Sequence, residues 1–200
     1  MWRLRYRIMT VSAELRLHCP HDHSGRERSL ASACSRGRST TVSQSPTFRL
    51  REATADDGAA VRAVVAAVMA EYGLSSDLEA YDADLQNIAA SYRGRGGAFR
   101  VVTSAEGRIV GCGGLYPIDE REAEIRRMYL LPEVRGVGVG RMLLEELIGD
   151  AKERRFERVV LETASVLKEA ISLYRKRGFM PVAHRGPALR QCDQAYELRL

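Results

Sequence analysis

From Phe48 onward the spacing of apolar positions separates strands from helices. FRLREAT, residues 48–54, reads as a short strand. Thr54, Asp56 and Asp57 follow with side-chain oxygens suited to starting a helix. Val61, Val64, Val65, Val68, Met69 and Tyr72 then recur at three- and four-residue steps, one face of a helix that Gly73 stops. Leu78, Tyr81, Leu85, Ile88 and Tyr92 form a second, looser stripe that ends in the glycine-rich RGRGG of residues 93–97.

Strand patterns come next. AFRVVTS and RIVGCGGLY flank the turn AEGR as a hairpin, AEIRRMYL is a third strand, and RVVLE a fourth. Between the last two lie RGVGVG (135–140) and an amphipathic run, RMLLEELI. KEAISLYRKRG is a short helix stopped by Gly178, and FMPVAH and QAYELRL close the chain as strands. The order is β-α-α-β-β-β-α-β-α-β-β without an internal repeat. Hairpin-length turns imply a mainly antiparallel front half, with a strand–loop–helix–strand unit at the centre. The fold class is α/β of the α+β kind, a mixed sheet flanked by helices.

Composition changes the picture mainly at the N-terminus. Residues 1–47 are rich in arginine and serine and contain no lysine. They hold eight arginines against Glu14, Asp22 and Glu27, which accounts for the whole net charge of +5. Residues 48–200 are charge-neutral, so no nucleic-acid partner is expected. We therefore divide the chain into a disordered extension, 1–47, and a folded domain, 48–200. The extension's composition also suits an organellar transit peptide, and initiation at Met9 or later is a further alternative. Within it, His18, Cys19, His21 and His23 are metal-capable, but structural zinc sites use two separated ligand pairs, so no metal is assigned. No apolar run is long enough to span a bilayer. Four cysteines without paired spacing read as reduced, cytoplasmic usage.

RGVGVG is the segment with chemistry in it. Helix N-termini present free amides and partial positive charge, which attract phosphate. Gly136, Gly138 and Gly140 remove side chains where an anion would approach, and Arg135 adds charge; a tight turn needing positive φ is the other reading. A Walker A loop is excluded, because no lysine is followed by serine or threonine. A dinucleotide fingerprint fails at its third glycine, where Arg141 or Leu143 stands, although Glu162 sits about where its acidic residue belongs.

The pattern that fits is Arg-x-x-Gly-x-Gly, matched by Arg135, Gly138 and Gly140. With EIRRMYLLPEVRGVGVGRMLLEEL, LET at 161–163 and EAISLYRKRGF at 169–179, the chain resembles the GNAT superfamily of N-acetyltransferases over about residues 48–200. The resemblance implies a strongly twisted sheet and acetyl-coenzyme A as co-substrate. Its pyrophosphate would lie on Arg135, Gly136, Val137, Gly138, Val139, Gly140 and Arg141. Backbone amides at Met128, Tyr129 and Leu130 would stabilise the oxyanion at a strand bulge.

Tyr174 is then the candidate acid for the leaving thiolate, with the buried stripe of a short helix as the plainer role. Glu124 is the candidate base for the amine, with Glu120, Glu122 or water as rivals. A salt bridge to Arg126 or Arg127 is the plainer role for Glu124. Cys112, in an apolar strand, reads as a small buried residue, since direct transfer needs no acyl-enzyme. Leu167 departs from the family, which often has asparagine there to hold the coenzyme.

The expected function is acetyl transfer from acetyl-coenzyme A to a primary amine of a small molecule or protein. The alternative is a non-catalytic module that binds acyl-coenzyme A and senses or scaffolds. The fold implied by the resemblance lines the acceptor cleft with about residues 72–97 and the hairpin Pro117 to Glu122, where Asp119, Glu120 and Glu122 suit a cationic amine. A homodimer is compatible with this reading; a membrane partner is not expected.

Overall fold

The computed structural model describes residues 48–74, 83–183 and 192–200. The arginine-rich extension, with its histidine and cysteine cluster, lies outside the described residues, as do Leu78, Tyr81 and His184.

Seven strands form one sheet in the order β1-β2-β3-β4-β5-β7-β6. β1 (Arg49–Glu52), β2 (Ala98–Thr103), β3 (Ile109–Pro117) and β4 (Glu122–Leu130) pair antiparallel through successive hairpins or adjacent edges. β5 (Arg158–Thr163) runs parallel to β4, and β7 (Gln194–Arg199) returns antiparallel between β5 and β6 (Met180–Val182). The expected element order is therefore the observed one. A single parallel pair, bridged by α3 (Val139–Glu153), also separates the fold from a dinucleotide-binding parallel sheet.

Strand alternation gives the sheet two apolar faces. Phe99, Val101 and Cys112 face α1 (Gly58–Glu71), whose Val61, Val64, Val65 and Met69 form the predicted stripe. Ala98, Val102 and Leu115 face the other way, toward Leu143, Leu144 and Leu147 of α3 and Tyr174 of α4 (Lys168–Arg177). The α1 N-terminus is fastened by Asp57, which accepts from Arg51 at 2.6 and 2.8 Å and from the Thr54 amide at 2.7 Å.

The second, looser stripe is only partly α-helical among its described residues. Among its described residues, Leu85, Ile88 and Tyr92 are buried as predicted, yet only α2 (Ile88–Ser91) is α-helical, between 3-10 turns at Ala83–Leu85 and Arg93–Arg95. The Asn87 side chain accepts from the Ala90 amide and restarts the chain at that point.

Candidate active site

β4 and β5 stay together for only three residue pairs, Glu122 to Glu124 against Arg158 to Val160. Beyond them the strands part, opening a cleft of about 430 Å³ walled by Glu124, Met128, Tyr129, Glu162, Tyr174 and Cys192, among others. The same divergence takes β5 onto β7, which pairs with it through Thr163.

A bulge shapes the β4 wall. Cys112 pairs with Tyr129 but Gly114 pairs with Arg126, so β4 carries an extra residue opposite Gly113. Arg127 absorbs the excess at φ 57°, a left-handed backbone that costs an arginine about 1–2 kcal/mol. The resemblance implied such a bulge; its position could not be read from one sequence. Past it, the Leu131 amide donates to the Val110 carbonyl at 2.9 Å, and Tyr129 is aligned with Cys112. Alternation then turns the Met128 and Leu130 amides to the opposite edge, past the last β4–β5 pair at Glu124 and Val160, where among the described residues no strand pairs with them. Tyr129, grouped with them on sequence, instead presents its amide to Cys112 and its ring to the cleft wall. Its hydroxyl meets the Met69 sulfur at 3.4 Å.

Glu124 opens this wall. Burial raises its pKa, opposed by a hydrogen bond from Arg126 Nε at 2.6 Å, and the charge of Glu162 pushes it further up. Both plainer and chemical roles thus meet in one residue: Glu124 does pair with Arg126, and it also faces the cleft. Arg126 in turn lies over the Tyr116 ring, 4.1 Å from its centroid. Glu162, which the sequence offered as a dinucleotide decoy and within the LET of the family resemblance but not as a site residue, shares the cleft because parallel pairing sets β5 beside β4.

The rival bases Glu120 and Glu122 do not line the cleft. Glu122 is buried and ion-paired with Arg158. Asp119 accepts from the Arg121 and Glu122 amides at 2.8 and 2.7 Å and closes the β3–β4 turn. Glu122 and Asp119 thus have structural duties, while Glu120 is exposed on the same turn.

Tyr174 projects from α4 into the opposite wall. Its hydroxyl reaches the Met128 sulfur at 3.8 Å, and burial raises its pKa well above the ordinary phenol value of about 10. Leu167, where the resemblance implies asparagine, precedes α4 without a side-chain cap and lines the cleft.

The glycine loop follows β4 and leads into α3. Gly136 and Gly138 take φ 75° and 90°, and a Cβ on either would meet no atom within 4 Å. They are needed for the turn and leave open space. Gly140 serves packing instead, since its Cβ would lie 3.2 Å from Leu130 and 3.5 Å from Leu173. No side chain caps α3, so the first-turn amides of Val139, Gly140 and Arg141 point out of the helix end. Gly136, Val137, Gly138 and Arg141 are exposed around that end. Arg135 has protein partners: its guanidinium forks onto Glu71 at 2.7 Å twice, and its Nε donates to the Leu130 carbonyl at 2.9 Å.

Cys112 is fully buried, and burial pushes its thiol up to about 12, so it is a protonated packing residue and hydrogen-bond donor. Among the described residues no group of three histidine, cysteine, aspartate or glutamate side chains is placed to hold a metal, and no helix is long and apolar enough to cross a membrane.

Known proteins share this fold. The chain is 39% identical over 141 residues to the uncharacterised N-acetyltransferase YjgM of Escherichia coli K12, covering 68% of this chain and 83% of that one. Its fold matches a GNAT-family acetyltransferase from Staphylococcus aureus Mu50 with a TM-score of 0.72 at 21% identity, over 76% of this chain and 99% of the other. A second match is yncA of Salmonella typhimurium, solved with its cofactor acetyl-CoA, with a TM-score of 0.60 at 23% identity over 76% and 94% of the two chains. The model of the acetyltransferase (GNAT) family matches residues 62–179, from α1 through the glycine loop to the end of α4, and the chain belongs to that family.

Proposed function

We propose that this chain transfers an acetyl group from acetyl-CoA directly to a primary amine of a small molecule or protein. The observation that carries the reading is the β4–β5 splay, which brings Glu124, Met128 of the bulge and Tyr174 to one cleft, with the uncapped α3 following β4 in the chain. Acyl transfer needs those groups together: a base, an oxyanion donor and a donor to the leaving sulfur. Support from relatives is their naming as N-acetyltransferases and the acetyl-CoA bound to yncA.

The residues fit the coenzyme. Open space at Gly136 and Gly138 and the free amides of Val139, Gly140 and Arg141 suit a pyrophosphate, with Val137 beside them. Arg135 shapes this loop through Glu71 and Leu130. Acetyl-CoA, when bound, supplies an activated acyl carbon. Glu124 accepts a proton from the ammonium, so that the nitrogen lone pair forms the new bond to that carbon. Met128 and Leu130 amides donate to the carbonyl oxygen as negative charge develops on it. Tyr174 donates to the sulfur as the carbon–sulfur bond breaks, burial keeping the phenol protonated beforehand, and the second proton leaving the nitrogen restores the phenol by way of solvent.

A thermal-shift comparison of the full chain with acetyl-CoA, NAD and ATP tests the reading, because a ligand of the folded state raises Tm. We expect a shift with acetyl-CoA alone and amine-dependent thiol release across an amine panel. No shift overturns it. A shift without release by any amine favours the non-catalytic acyl-CoA-binding module.

A further inference from the structure

The bulge is held in place by a residue far from it in sequence. Asp84 comes from the 3-10 turn before α2, on the α1 face of the sheet. Its carboxylate accepts from Arg127 Nη2 at 2.9 Å and Nε at 3.2 Å, and from the Tyr92 hydroxyl. The two charged side chains are only 13% and 10% exposed. From the backbone side, the Cys112 thiol donates to the Arg127 carbonyl at 3.3 Å. Arg127 is thus gripped at both ends while it sits at φ 57°.

An arginine has no intrinsic reason to adopt that backbone. Extended Arg127 would pair with Gly113 and remove the extra residue from β4. Every later position would then slip by one, and because strand amides alternate in direction, Tyr129 would face the cleft in place of Met128 and Leu130. A buried ion pair is also poor evidence of a stability role, since apolar replacements of both partners often fold as well or better.

We propose that Asp84 is a positioning residue: by holding Arg127 left-handed, it selects which β4 amides meet the acyl carbonyl. This rests on the reading that those amides bind that oxygen, so the test uses a readout specific to it. CoA lacks the acetyl carbonyl and acetyl-CoA has it. The preference for acetyl-CoA over CoA therefore reports the bulge, and affinity for CoA alone reports the glycine loop.

Calorimetric titration of the full chain with each coenzyme, in wild type and two double variants, decides the matter. Asp84→Ala/Arg127→Leu removes both charges but leaves a side chain that resists positive φ. Asp84→Ala/Arg127→Gly removes both charges and leaves a residue at ease there. Wild type is expected to bind acetyl-CoA about three- to tenfold more tightly than CoA, the range of one net amide–carbonyl hydrogen bond. The leucine variant should lose that preference with CoA affinity within about twofold, and the glycine variant should keep it. Equal preference in the two variants, whether kept or lost, overturns the proposal. Asp84→Asn covers a leucine variant that does not fold: it should also lose preference, and an unchanged ratio overturns the proposal. A wild type that binds both coenzymes equally defeats the bulge assignment and leaves the loop intact. A wild type that binds neither defeats the proposed function itself.

Discussion

Arg135 and Glu71 are joined by a two-pronged ion pair, each guanidinium Nη lying 2.7 Å from a carboxylate oxygen. It ties the first residue of the Arg-x-x-Gly-x-Gly motif to the last turn of α1, on the α1 side of the sheet. Arg135 also holds the Leu130 carbonyl, so one side chain links α1, the end of β4 and the glycine loop. Arg135→Leu should therefore raise KM for acetyl-CoA more than Glu71→Gln, which leaves the Leu130 bond intact. Glu71 is exposed, so its own effect should be small, about threefold or less, and should shrink with added salt. Steady-state kinetics at low and high ionic strength checks both orderings.

Tyr174→Phe removes a hydroxyl that touches the Met128 sulfur, not a strong polar partner. The expected loss of stability is within about 1 kcal/mol. Turnover should fall by about a hundredfold or more, with KM for acetyl-CoA nearly unchanged, because the hydroxyl acts on the leaving sulfur. Normal turnover by this variant, measured by thiol release, removes the donor role.

Glu124 should set the acidic limb of the pH–rate profile. A base works deprotonated, and burial raises this carboxyl, so kcat/KM should decline as pH falls through a value above the ordinary glutamate range. Glu124→Gln should lower kcat by about a hundredfold and erase that limb. The stability linkage has the opposite sense to a depressed carboxylate. The raised folded value favours the folded state most below the unfolded pKa, and that contribution is lost as pH rises through the folded one.

Asp57 supplies the depressed case. The Arg51 hydrogen bonds, then those from Thr54, hold its carboxyl well below the usual range. Its stabilisation is complete above the unfolded value of about 3.9 and is lost as pH falls through the lower folded value. Asp57→Asn should cost about 1–3 kcal/mol at pH 7. The gap to wild type should narrow on acidification below about pH 4, as the native carboxylate takes up its proton. Urea melts across that range would show it; a pH-independent gap would mean that charge is not what the Arg51 contact uses.

Local patterns made much of this legible beforehand. The α1 stripe from Val61 to Met69 is periodic because a helix with one buried face must be periodic. Gly136 and Gly138 announce a left-handed turn because few other residues tolerate one, and Tyr174 stands in a recognisable helix motif. The breaks around α2 were less visible, since Leu85, Ile88 and Tyr92 keep a helical spacing even where 3-10 turns carry them.

Tertiary structure alone decided the working details of the cleft. Arg127 has no local mark of a left-handed residue, because its partner Asp84 lies 43 positions earlier. Glu162 joins Glu124 only once α3 has carried β5 back parallel to β4. Arg135 looks like a free charge until α1 brings Glu71 to it, and Glu122 like a free carboxylate until Arg158 is set beside it. Periodicity and turn chemistry act between near neighbours and are written along the chain. Register, burial and ion pairing depend on which distant segments meet, and that is decided only when the sheet closes around its core.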